Sequence, residues 1–175
     1  MSLLDQVKDQ MGGFEQLVAK IPGYKGYKEK ELRREADKLL RDHIVNRMRT
    51  VKAQLDGLQQ DLIGSGKFDL LDETGSAATQ IQTFIDRVRT APYGYGGLFD
   101  AVKVKEADLD RVYEFDSALM SYADRIESAI SNARAGIEGE DTRALILLVR
   151  DLAREANTTF DERQDVLRGT ASTGV

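Results

Sequence analysis

Apolar residues recur along most of this chain at alternating spacings of three and four, which places them on one face of a helix. Between Tyr27 and Ile63 the stripe runs Leu32, Ala36, Leu40, Ile44, Met48, Val51, Leu55, Leu58 and Leu62, with Leu39 and Val45 widening it. The pattern predicts a helix over 27–63, stopped by Gly64-Ser65-Gly66, since glycine is the usual residue just past a helix end. Leu71, Thr74, Ala78, Ile81, Ile85 and Val88 predict a second helix over 68–89, antiparallel to the first because the connection is short. Its first turns, with Thr74 and Gly75, are its weakest part. Leu109, Val112, Asp116, Leu119, Ala123, Ile126, Ile130, Ala133 and Ile137 predict a third over 105–136. Gly136 and Gly139 punctuate the next turn, and Asp141 or Thr142 starts a fourth helix over 141–168. Its stripe is Leu145, Val149, Leu152, Ala156, Phe160, Arg163 and Leu167; Gly169 ends it, and 170–175 reads as a tail.

Two stretches break this regularity. Near the N-terminus, Leu4, Val7, Met11, Phe14, Val18 and Ile21 predict a short amphipathic helix over 2–20, weakened at Gly12-Gly13 by about 1 kcal/mol per glycine. A weak helix with a strong apolar face needs a surface: its own bundle, a partner groove, or a membrane against Val7, Met11, Phe14 and Val18. In mid-chain, Arg89 to Asp100 crowds Pro92, three glycines and three aromatics together, and Pro92 biases Ala91 away from helix. Gly94-Tyr95-Gly96-Gly97 shares a Gly-Tyr-x-Gly core with Gly23-Tyr24-Lys25-Gly26, and each core precedes a long helix. The two loops are therefore expected at the same end of the fold, with Tyr24, Tyr27, Tyr93 and Tyr95 as a candidate partner surface. Leu98 and Phe99 are expected to tuck against the bundle end. The fold class that follows is all-α: one domain, an antiparallel four-helix bundle of two long hairpins plus the N-terminal amphipathic helix.

Composition agrees with a soluble helical bundle, at 41% apolar and 31% charged residues over 175. Cysteine is absent, which excludes disulfides, thiolate metal sites and cysteine nucleophiles. The first residues lack the basic and apolar regions of a secretory signal, and no window approaches 18 consecutive apolar residues. A cytoplasmic location is the expectation. The net charge of −5 hides an asymmetry. Residues 20–52 carry eleven Lys and Arg against five acids, a local +6, whereas residues 105–165 carry fifteen acids against eight bases, a local −7. Opposite charges on neighbouring helices are ordinary, so the two halves are expected to pair with each other.

The run Ile21-Pro-Gly-Tyr-Lys-Gly-Tyr27, the charged stretch Glu29 to Lys38 and the segment Tyr93 to Lys103 together resemble a family of bacterial all-helical proteins. The likeness covers about residues 14–169 and implies a bacterial helical bundle. No activity or ligand is attached to that family, so the resemblance carries over no functional residue.

Candidate chemistry adds little. A dinuclear carboxylate centre in a four-helix bundle needs inward glutamates and two Glu-x-x-His pairs. This chain has one histidine, and Leu40, not glutamate, stands three residues before His43. No Gly-x-Ser-x-Gly elbow is present, and Ile63-Gly-Ser-Gly-Lys67 lacks the spacing and preceding strand of a phosphate loop. No catalytic, cofactor or metal residue is therefore assigned. Asp116 and Arg163 stand out as charges on otherwise apolar seams. A lone buried charge is costly, so the two are expected to form a buried ion pair across the last hairpin. The basic stretch Lys25–Lys52 is interleaved with acids in a chain of pI near 5.0, which argues against nucleic acid. The expected role is a non-enzymatic scaffold, adaptor or assembly subunit with a protein partner or a homo-oligomer. The alternative is a peripheral membrane bundle using the N-terminal helix and the basic start of the next.

Overall fold

The computed structural model of the chain describes residues 30–91 and 106–168. Four helices fill these spans, and no strand occurs among the described residues. They are α1 (Lys30–Gly64), α2 (Leu71–Thr90), α3 (Glu106–Ala135) and α4 (Thr142–Arg168). The expected elements over 2–20 and 170–175, and the mid-chain loop from Pro92, lie outside the described residues.

The helix ends that lie at the connecting turns, and the end of α2, have local causes. At the end of α1, Gly66 takes φ +71°, a left-handed conformation that glycine adopts without a Cβ penalty. The Gly66 amide then donates to Ile63 O at 3.1 Å and the Lys67 amide to Leu62 O at 2.9 Å, the paired bonds of a Schellman stop. The chain next makes a single 3-10 turn at Phe68–Leu70, so α2 proper begins at Leu71 and not at Phe68. Ala91 ends α2 with φ −56° and ψ 130°, the extended conformation that a following proline enforces. Between α3 and α4 the Gly139 amide donates to Gly136 O at 2.7 Å, and the Thr142 hydroxyl donates back to Gly136 O at 2.8 Å. Thr142 thus starts α4, and its side chain closes the preceding turn instead of capping the helix that follows.

Side-chain contacts fix the directions. Arg41 meets Val88, and Asp116 meets Arg163, so α1 with α2 and α3 with α4 form antiparallel hairpins. Between hairpins the order is different. Arg47 meets Asp124 and Arg134 meets Asp61, so α1 and α3 run parallel. Arg143 meets Asp69 while Arg87 meets Asn157, so α2 and α4 also run parallel. Each helix packs against two neighbours in the order α1, α2, α4, α3 around the bundle. The two hairpins lie side by side with like-directed helices adjacent, and α2 and α3 sit diagonally.

The core follows the stripes closely. On α1, Leu40, Ile44, Val45, Met48, Val51, Leu55, Leu58 and Leu62 are buried. Leu39 departs from expectation: about 100° round the helix from Leu40, it is 44% exposed. On α2, Ala77 and Phe84 are fully buried although the expected stripe omits them, while Leu71 and Ala78 are only partly buried. On α4 Ile146 is buried and Leu145 only partly so. A helix touching two neighbours buries a face wider than a single seam. Phe84 stands edge-on to Phe160 across the α2–α4 contact, with centroids 6.2 Å apart.

Candidate functional site

The most unusual interior feature is a charged layer near the lower end of the bundle, the end where α1 and α3 begin. Asp116 on α3 and Arg163 on α4 lie at nearly the same distance along the chain from the Gly136–Asp141 turn, so an antiparallel hairpin brings them close to level. Arg163 Nε donates to Asp116 Oδ1 at 2.6 Å, with Nη2 3.5 Å from Oδ2. Both residues are buried, at 2% and 4% exposure. The layer divides the interior: Leu119 and Phe160 belong to the main core, whereas Val112, Val166 and Leu167 form a small second cluster with Phe115. Gln164 is buried beside Arg163.

Arg41, also buried, serves the same end differently. Its guanidinium donates to Val88 O from Nε at 3.0 Å and to Ala91 O from Nη2 at 2.6 Å. These are terminal α2 carbonyls without an intrahelical donor, and a cation there also opposes the negative end of the helix dipole. No stripe argument flags Arg41, because the reason for its burial is the end of another helix. Asn157 is likewise buried, with Nδ2 donating to Gln80 O at 3.1 Å and Oδ1 accepting from Arg87 Nη1 at 3.1 Å.

On the α1–α3 face, His43, Ile44, Arg47, Leu119, Met120, Ala123 and Asp124 line a small groove of about 150 Å³. Its floor is apolar and its rim is occupied by an ion-pair network. Arg47 donates to Asp124 Oδ1 at 2.8 Å and to Glu127, whose other oxygen accepts from Gln54 Nε2 at 2.7 Å. The bond to Glu127, then that to Asp124, raises the Arg47 pKa above its ordinary value. The bonds from Arg47 and Gln54 hold the Glu127 carboxyl below the usual glutamate range. Here the basic first half of the chain pairs with the acidic second half. His43 is half-buried at the edge of the core, with Arg47 one turn beyond it.

The opposite end of the bundle carries the two connecting turns. Lys67 pairs with Glu138 at 3.4 Å, Arg134 with Asp61 at 2.7 Å, and Arg143 with Asp69 at 2.7 Å and with Glu73. On this end Phe68 is 64% exposed and Ile63 49%, the two most exposed of the large apolar side chains among the described residues. Sequence reasoning missed both: Ile63 reads as the last residue of a helix and Phe68 as the first of the next.

Of the residues singled out in sequence, Asp116 and Arg163 come together. Tyr24, Tyr27, Tyr93 and Tyr95, the face of Val7, Met11, Phe14 and Val18, and the pair Leu98 and Phe99 lie outside the described residues. Lys30 and Ala91, which border the two tyrosine-glycine loops, are at the same end of the bundle. No group of three His, Cys, Asp or Glu suited to a metal ion occurs among the described residues. No described helix is long and apolar enough to cross a membrane. Compared with known proteins, the chain matches no protein-family profile, no curated protein and no solved structure.

Proposed function

We propose that this chain is a non-enzymatic helical scaffold, adaptor or assembly subunit that works through protein–protein contacts. The observation carrying this reading is the turn end, where Phe68 and Ile63 stand in water while Phe84 and Phe160 are buried in the core. Apolar area left in solvent forgoes about 25 cal/mol per Å², which a partner surface recovers. Affinity purification of the tagged full chain from its native cells, beside a Phe68→Ser variant, tests this. A protein retained in near-stoichiometric amount by the wild type and lost with the variant is expected. Identical co-purifying proteins from both would overturn the reading. The same reading places the bundle in the cytoplasm, which cell fractionation checks.

The sequence stripe of Val7, Met11, Phe14 and Val18, followed by the basic start of α1, favours a second reading as a peripheral membrane bundle. Flotation with anionic vesicles at low salt separates the two. Binding abolished by Met11→Glu or Phe14→Glu supports the membrane reading, and absence of binding removes it.

A further inference from the structure

The turn end is acidic as well as apolar. Residues 61–73 and 134–143 hold seven carboxylates and three bases, a local charge of −4. All three bases are engaged, Lys67 by Glu138, Arg134 by Asp61 and Arg143 by Asp69 and Glu73. Asp72, Glu140 and Asp141 remain exposed and make no ion pair among the described residues. An apolar contact rimmed by uncompensated carboxylates selects a basic partner segment that also carries large apolar groups.

The chain itself contains such a segment. Lys20-Ile-Pro-Gly-Tyr-Lys-Gly-Tyr-Lys-Glu-Lys30 has four lysines against one glutamate and carries Tyr24, Tyr27 and Ile21. Its own turn end is out of reach. Helix α1 separates Lys30 from Gly64 by about 51 Å at 1.5 Å per residue. Lys20 is ten residues from Lys30, and even a fully extended chain of that length spans at most about 36 Å. The segment can meet a turn end only on another molecule.

Building on the assembly reading above, we propose that the acidic turn end of one molecule, through Phe68, Ile63, Asp72 and Glu140, docks the basic tyrosine-bearing segment 20–30 of a second copy. Each molecule then offers one donor end and one acceptor end, and the contact is heterologous: it propagates head to tail until it closes into a ring or grows as a filament. The contact joins a segment to a small patch, so the association is weak and concentration-dependent. Its charge component weakens as salt rises past physiological strength, where the screening length falls below about 8 Å.

Sedimentation velocity on the full chain at roughly 0.1 mM, at low and high salt, tests the proposal. The wild type is expected to show species larger than a dimer, diminishing with salt. Phe68→Ser/Glu140→Lys disables the acceptor end and Lys25→Glu/Lys28→Glu the donor end. Each variant alone is expected to be monomeric, with helical circular dichroism unchanged because Phe68 and Glu140 are exposed. Mixed, the two variants still share one intact acceptor and one intact donor, so a 1:1 dimer that grows no further is expected. Wild type that stays monomeric, assembly that either variant leaves intact, or a mixture that forms no dimer would each overturn the head-to-tail contact. Loss of a different, Phe68-dependent protein in the purification experiment is a separate result, so self-docking can fail while the wider protein-contact reading stands.

Discussion

The Asp116–Arg163 pair permits a quantitative test of what holds the lower half of the bundle together. At 4% and 2% exposure the two groups have lost nearly all contact with bulk water, and the 2.6 Å bond is a charge-assisted one. Asp116→Leu strips the buried guanidinium of this carboxylate, and Arg163→Met does the converse to the carboxylate. Either change leaves a desolvated charge short of its counter-ion, at a cost of about 3–5 kcal/mol. For a chain of this length, roughly 2–4 °C is lost per kcal/mol, so each single variant should melt about 6–20 °C lower. The double variant removes both charges and joins the main core to the Val112–Val166–Leu167 cluster by apolar contact. It is expected near wild-type stability or up to about 4 kcal/mol above it. Urea unfolding followed by circular dichroism at 222 nm closes the double-mutant cycle, with constant m-values as the check on two-state behaviour. Single variants that each cost less than about 1 kcal/mol, or a double variant that costs the sum of the two, would refute this reasoning.

Further perturbations follow from the same contacts. Phe84→Ala opens a cavity at a fully buried site beside Phe160 and should cost about 3–5 kcal/mol in urea unfolding. Gly75→Ala, in the second turn of α2 with nothing within 4 Å of the added Cβ, should stabilise by about 0.5–1 kcal/mol. Gly139→Ala, whose Cβ would sit 3.0 Å from Gly136 O, should instead lower the melting temperature. The Glu127 carboxyl is held below its unfolded value of about 4.3, so its contribution is fully present above that pH and is lost as pH falls through the lower folded value. Glu127→Gln should therefore be less stable than wild type near neutral pH by less than about 1 kcal/mol, the pair being about one-third exposed, with the difference closing below about pH 4. A difference that persists undiminished to about pH 3 would count against the Arg47 pairing.

The sequence alone determined the helices and most of their inward faces, because a 3.6-residue period is a local property that any amphipathic helix must display. The stops at Gly66 and Ala91 were legible for the same reason, being set by glycine stereochemistry and by the residue that precedes a proline. Even the Asp116–Arg163 contact could be read in advance, since one tight turn fixes the register of an antiparallel hairpin. What lay beyond the sequence depended on contacts between hairpins. No local pattern says whether the second hairpin lies with unlike or like directions adjacent, and the parallel pairing of α1 with α3 becomes visible in tertiary contacts such as Arg47–Asp124 and Arg134–Asp61. The side-by-side packing of the hairpins gave α2 a second neighbour, which widened its buried face to take in Ala77 and Phe84, and left Leu39 44% exposed. It also brought the two turns to one end with Phe68 and Ile63 exposed between charged neighbours, and tertiary proximity alone sent Arg41 inward to meet the last carbonyls of a helix some fifty residues away in the chain. Periodicity records which face of a helix is apolar, whereas the partner of that face is decided by the summed packing of every other element.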